Sequence, residues 1–180
     1  MSEAGHLEKA TFAGGCFWCM VHPFDAWPGV VRVISGYTGG HKANPAYDEV
    51  LRGDTGHVEA VEVVFDPRLA SYRDLVDRFW REIDPTDNGG QFADRGSSYL
   101  TAIFYHTEAQ RQAATASRDA LELSGRFDRP IVTQILPAGP FYPAQAYHQD
   151  FYQKNPAHYQ RYRAGSGRDR FLLQHWPDER

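Results

Sequence analysis

The chain holds two cysteines, Cys16 and Cys19, in the run Gly14-Gly15-Cys16-Phe17-Trp18-Cys19. A bridge between them closes too small a loop to add much stability, so the pair points to chemistry before stapling. A cysteine in the first turn of a helix meets unpaired backbone N–H groups and the positive end of the helix dipole, both of which favour the thiolate. Cys16 is thereby placed as a nucleophile, and the reading requires its sulfur to be exposed and ionisable. Cys19 falls one helical turn further on, at a Cα separation of roughly 5–6 Å that a disulfide spans, and is placed to resolve an oxidised Cys16. Phe17 and Trp18 can form an apolar wall beside the nucleophile for a small apolar group. Three other readings of the pair stay open. Free cysteines are often plain core residues, and the spacing is also half of a tetrahedral zinc site, for which the eight histidines supply no H-x3-5-H or H-E-x-x-H pattern. A thioredoxin-type redox pair likewise lies at a helix start.

The elements that must carry these residues follow from pattern and punctuation. Residues 10–14 read as a short strand ending in the Gly-Gly turn, and residues 16–21 as the opening of a helix in which Pro23 forces a kink or a frayed turn. Residues 30–34 form a second strand, followed by Ser35-Gly36-Tyr37-Thr38-Gly39-Gly40 and a polar loop to about Asp54. Residues 57–65 alternate as a strand, with Glu59 on the apolar parity of Val61, Val63 and Phe65. A carboxyl there is expected to keep its proton near neutrality, as a general acid must, although a solvated strand-edge position is the commoner fate of a glutamate. Ser71-x-x-Asp74 caps a helix carrying Leu75, Val76, Phe79, Trp80 and Ile83. Residues 84–98 are rich in loop-forming types, residues 99–105 resume a strand, and Thr107-x-x-Gln110 opens a helix closed by Gly125. A strand at 131–136, a helix at 146–154 stopped by Asn155-Pro156, and a tail from Arg168 complete the chain.

At 180 residues, without repeats or linkers, the chain is expected to be one catalytic domain spanning residues 1–180, with 168–180 as a C-terminal tail. The alternation lacks a strict βαβ rhythm, so the fold class is α+β: a mixed β-sheet with helices packed on it. A net charge of −4 with interspersed signs offers no attraction to nucleic acid. The first ten residues have no apolar signal-peptide core and no stretch is long enough to span a membrane, so the expected location is cytoplasmic.

Gly15-Cys16-Phe17-Trp18-Cys19 closely resembles the G-C-F-W signature of the A-type peptide methionine sulfoxide reductases. The resemblance continues through Gly36-Tyr37-Thr38-Gly39-Gly40, Asn44-Pro45-Ala46-Tyr47, the run from Gly53 to Val61, Asp84-Pro85-Thr86-Asp87 and the run from Gln91 to Tyr99, and covers residues 10–167. What it implies is reduction of the S epimer of methionine sulfoxide, in proteins and as the free amino acid, by a monomer with no bound cofactor or metal. For the fold, the expectation is a two-layer ferredoxin-like core plus long loops. By matching position, Cys16 attacks sulfur, Glu59 donates a proton to the sulfoxide oxygen, Tyr47 and Tyr99 hydrogen-bond that oxygen, Asp94 helps order the site, and Phe17 and Trp18 hold the substrate methyl. Without the resemblance, Tyr47 and Tyr99 would be ordinary loop-edge aromatics. Attack leaves Cys16 as a sulfenic acid. Many relatives carry resolving cysteines near the C-terminus, and this chain has none after Cys19. The expected route is a Cys16–Cys19 disulfide reduced by thioredoxin or, in the test tube, dithiothreitol; the alternative is direct reduction of the sulfenic acid by an outside thiol.

Overall fold

The computed structural model describes residues 5–177. Its centre is a six-stranded sheet in the order β7-β6-β1-β3-β2-β8. The strands are β1 (Glu8–Gly14), β2 (Val30–Thr38), β3 (Val58–Phe65), β6 (Thr101–Tyr105), β7 (Gln134–Pro137) and β8 (Phe141–Pro143), and a separate two-residue hairpin joins β4 (Gly90–Gln91) to β5 (Asp94–Arg95). All pairings are antiparallel except β6 with β7, so the sheet is mixed, as the sequence implied. The helices are α1 (His22–Asp25), α2 (Tyr47–Arg52), α3 (Tyr72–Trp80), α4 (Glu108–Leu123), α5 (Phe151–Lys154), α6 (Pro156–Ser166) and α7 (Arg168–His175). Among the described residues no helix is long and apolar enough to cross a membrane.

The best-placed elements are those whose caps and apolar stripe agree. The Ser71 hydroxyl accepts from Asp74 N, and Leu75, Val76, Phe79 and Trp80 are buried on one face of α3. That face meets β1, where Phe12 stacks on Phe79 at 5.1 Å and on Phe24 of α1 at 5.3 Å. Thr107 caps α4 by accepting from Gln110 N, and Trp80 Nε1 donates to Ser117 Oγ at 2.9 Å, tying α3 to α4. Central β3 is buried on both faces, the position in which a strand loses its polar side.

Several expectations are corrected. Residues 35–38 are not a loop: they extend β2, because Tyr37 pairs with Glu59 and Gly36 with Ala60 on one side, and β8 closes the other. The polar loop that follows contains α2, whose first turn is fixed by Glu49 Oε1 accepting from Ala46 N at 2.9 Å. The strand expected at 131–136 is β7, shifted towards the C-terminus. The helix expected at 146–154 is a 3-10 turn, Ala146–His148, followed by the short α5; it stops at Lys154 before Asn155-Pro156 as expected, and Pro156 then opens α6, because proline suits the first turn of a helix. The expected tail is mostly α7, docked on the core through fully buried Leu172; residues 178–180 of it lie outside the described residues.

Candidate active site

The turn bearing the cysteines is delivered to Glu59 by strand register. β1 and β3 pair Phe12 with Val61, which brings Gly14, two residues on, level with Glu59. The chain then reverses at Gly15, whose φ of +85° is open to glycine and where a Cβ would sit 2.6 Å from that of Gln91. Beyond it, Phe17 N donates to Glu59 Oε1 at 3.1 Å, docking the turn onto the carboxyl. Cys16 therefore precedes a single 3-10 turn, Phe17–Cys19, and not the expected helix; α1 is a separate turn that starts at His22 with Pro23 in its first positions.

This changes the electrostatics at Cys16. One 3-10 turn has no appreciable macrodipole, and the thiol is only 6 % exposed. Burial, then the neighbouring Cys19 sulfur, then the carboxyls of Glu59 and Asp94 push the Cys16 thiol well above the ordinary range. The expected exposed, readily ionised sulfur is thus replaced by one that is nearly enclosed and holds its proton. Cys19 is fully buried and shifted the other way: hydrogen bonding from Cys16 comes first, and the guanidiniums of Arg168 and Arg163 reinforce it against burial. Both cysteines are free.

Glu59 is 1 % exposed, which excludes the solvated strand-edge alternative. Burial raises its carboxyl to about 8, opposed chiefly by the Phe17 N–H and increased by Asp94, so the group is protonated at neutrality. Its Oε2 is buried and makes no hydrogen bond of ordinary geometry, while the nearby Tyr99 hydroxyl weakly favours its charge. Tyr47 opens α2 and Tyr99 lies in the 3-10 turn Ser97–Tyr99; both are half-buried, and burial followed by Glu59 holds both phenols neutral. Asp94 in β5 accepts from the Tyr162 hydroxyl; burial raises its carboxyl and Arg168 opposes this. The structure thus brings Cys16, Cys19, Glu59, Tyr47, Tyr99 and Asp94 into one site. Phe17 is buried with its ring against His148 at 5.0 Å and Tyr37 at 5.8 Å. Trp18 keeps partial exposure, stacks on Phe151 at 3.8 Å and donates from Nε1 to His148 Nδ1 at 3.0 Å.

Sequence reasoning missed His148, Tyr159, Arg163 and Arg168. His148 is buried, burial lowers its pKa to about 4, and its ring lies 4.3 Å from that of Tyr47. Arg168 is 1 % exposed, donates to Glu82 O at 2.6 Å and Gly14 O at 3.1 Å, and sits over the Phe92 ring at 4.7 Å. No local spacing announces a buried arginine whose partners are backbone carbonyls far away in the chain. Among the described residues no group of three or more His, Cys, Asp or Glu side chains is arranged to hold a metal ion.

The sequence matches the family described as peptide methionine sulfoxide reductase over residues 8–180. It is 63 % identical over 171 residues to the peptide methionine sulfoxide reductase MsrA of Bacillus velezensis, covering 95 % of this chain and 97 % of that protein. The MsrA of Listeria innocua is 59 % identical over 170 residues, with 94 % and 96 % covered. Among solved structures, reduced Mxr1 from Saccharomyces cerevisiae superposes with a TM-score of 0.79 at 29 % identity, covering 87 % of this chain and 89 % of that one. Methionine sulfoxide reductase A of Corynebacterium diphtheriae gives 0.75 at 34 % identity, with 86 % and 77 % covered. Mxr1 in complex with Trx2 shares the fold, with a TM-score of 0.55 at 22 % identity over 83 % of this chain and 87 % of that one. With a match that runs almost from end to end and the same sheet and helices in solved relatives, the chain belongs to the peptide methionine sulfoxide reductase family.

Proposed function

We propose that the protein reduces the S epimer of methionine sulfoxide, free and in proteins, at Cys16, and that the site works by moving protons through Glu59. The observation that carries this is the buried carboxyl: protonated at neutrality, held by the Phe17 N–H through Oε1, with Oε2 lacking a regular partner. Oε2 is the atom from which a proton passes to the sulfoxide oxygen. Cys16 attacks the substrate sulfur and its own thiol proton replaces the one Glu59 has given. The protonated oxygen then passes as hydroxyl from the substrate sulfur to Cys16: the substrate S–O bond and the transient S–S bond break and a Cys16 S–O bond forms, leaving methionine and a Cys16 sulfenic acid with no net change in protons. Tyr47 and Tyr99, kept neutral, donate hydrogen bonds to the oxygen as charge develops on it, where such donors are most effective. Trp18 offers the open apolar wall for the substrate methyl, Phe17 backs it, and Asp94 accepts from Tyr162, whose ring meets Trp18 edge-on at 5.7 Å and steadies that wall.

Cys19 then condenses with the sulfenic acid to give a disulfide and water. A dithiol reductant of the thioredoxin type returns the pair to thiols, the class of partner with which yeast Mxr1 has been seen. None of these steps uses a bound cofactor.

The test is turnover of each sulfoxide epimer with dithiothreitol. Consumption of the S epimer alone, abolished in Cys16→Ser, is the expected result. Equal consumption of both epimers, or activity that survives Cys16→Ser, refutes the proposal.

A further inference from the structure

The surroundings of the two sulfurs are asymmetric in charge. Carboxyls of Glu59 and Asp94 flank Cys16. The groups facing Cys19 are Cys16 from its own turn, Glu59 of β3, Tyr159 and Arg163 of α6, and Arg168 of α7. Tyr159 is buried with Cys19 and Phe151 in one small cluster. Its hydroxyl oxygen accepts from Arg163 Nη1 at 2.9 Å, which leaves its own proton free, and Cys19, buried in the same cluster, is the thiol whose ionised form that hydroxyl and the guanidinium both favour. Tyr159 and Arg163 are four residues apart on α6, so one helical turn presents both to the same side. The guanidinium is itself fixed by Asp169 at 2.7 Å and Glu82 at 3.5 Å. A charge-assisted chain of this kind orders the hydroxyl that ends it.

We infer that Tyr159 and Arg163 are positioning residues for the resolving step, the Tyr159 hydroxyl, oriented by the Arg163 guanidinium, holding Cys19 as the sulfur that attacks oxidised Cys16. The inference rests on the sulfoxide chemistry proposed above. In that step the Cys19 electron pair forms the S–S bond, the Cys16 S–O bond breaks, and the departing hydroxide takes a proton and leaves as water. Cys19 is oxidised and the Cys16 sulfenic acid reduced. When an outside dithiol reopens the bridge the same asymmetry acts in reverse. Cys19, beside the cations, is the better leaving group, and Cys16, the less enclosed of the two sulfurs, takes the attack.

The experiment is a single turnover with methionine S-sulfoxide and no reductant, on wild type, Y159F, R163M and R163K. Released methionine reports the first step. Quenched protein mass reports the second: a gain of one oxygen for the sulfenic acid, a loss of two hydrogens for the disulfide. In Y159F and R163M the first methionine still appears. Cys19 is lowered to about 6, so at pH 5 each unit by which its thiol rises cuts its thiolate about tenfold and restores about threefold in nucleophilicity, and disulfide formation there slows about threefold to fourfold per unit. The pH midpoint of this step moves upward, the rate at pH 9.5 equals or exceeds that of wild type, and R163K recovers most of the loss. A disulfide rate in Y159F that matches wild type at every pH, or falls by the same factor at every pH, overturns the inference. Wild type that releases no methionine overturns the underlying reductase proposal instead.

Discussion

Glu59→Gln separates the proton from the shape of the side chain, and its effects on stability and on rate have separate signatures. The native carboxyl holds its proton up to about pH 8, whereas an ordinary glutamate carboxyl gives it up near 4.5. Between those values the native state binds one proton that the unfolded chain does not. The contribution of this group to stability is therefore fully present below pH 4.5 and is lost as pH rises through 8. The loss is about 1.4 kcal/mol per pH unit, or about 3 kcal/mol between pH 5 and pH 7.5. Glutamine has no such loss. Any fixed cost of the buried amide cancels when the two proteins are compared across pH, so E59Q gains on wild type by about that amount over the interval. The assay is urea unfolding followed by tryptophan fluorescence at half-unit steps of pH, with the four tryptophans as probes. In parallel, kcat on the S-sulfoxide falls by a factor on the order of 100 to 10,000 with a small change in KM, because the lost proton matters in the transition state. A stability difference that stays flat from pH 5 to pH 8 would mean that native Glu59 is already ionised, and would remove it as the proton donor.

Cys19→Ser is expected to turn over with dithiothreitol but to stop after one methionine without it, its mass showing one added oxygen where wild type loses two hydrogens; one added oxygen in wild type as well would rule out Cys19 as the resolving thiol. Trp18→Ala removes the stacked wall on Phe151 and the bond to His148, and KM for a sulfoxide peptide should rise by a factor on the order of 10 to 100, as loss of 1–3 kcal/mol of apolar contact implies; an unchanged KM excludes Trp18 from binding. Arg168→Met strips the Gly14 and Glu82 carbonyls of a buried donor and should cost about 3 kcal/mol in chemical denaturation, with a smaller loss pointing to replacement by water.

The chemistry of the site was legible because it is local. Cys16, Cys19, Phe17 and Trp18 are contiguous, whereas the parity of Glu59 with Val61, Val63 and Phe65 allowed a buried carboxyl that only the family resemblance chose over a solvated strand edge. Helices α3 and α4 were legible because Ser71 and Thr107 are capping residues followed by periodic apolar positions. What could not be read is what tertiary contact decides. Ser35-Gly36-Tyr37-Thr38 has the composition of a turn but is pinned by ladders on both sides. Helices α6 and α7 bury Tyr159, Arg168 and Leu172, which form no apolar stripe. The ionisation of the two sulfurs depends on carboxyls and guanidiniums from four separate elements, so the helix-start argument misjudged Cys16.

The bond from Arg168 to the carbonyl of Gly14 joins positions 154 residues apart. A contact of such span forms late, since nearly all of the polypeptide must exist before its two ends can meet. During synthesis on the ribosome, the redox turn emerges early and waits without the arginine that braces it until α7 has cleared the exit tunnel. The brace on the redox turn therefore has to wait for α7, the last helix among the described residues.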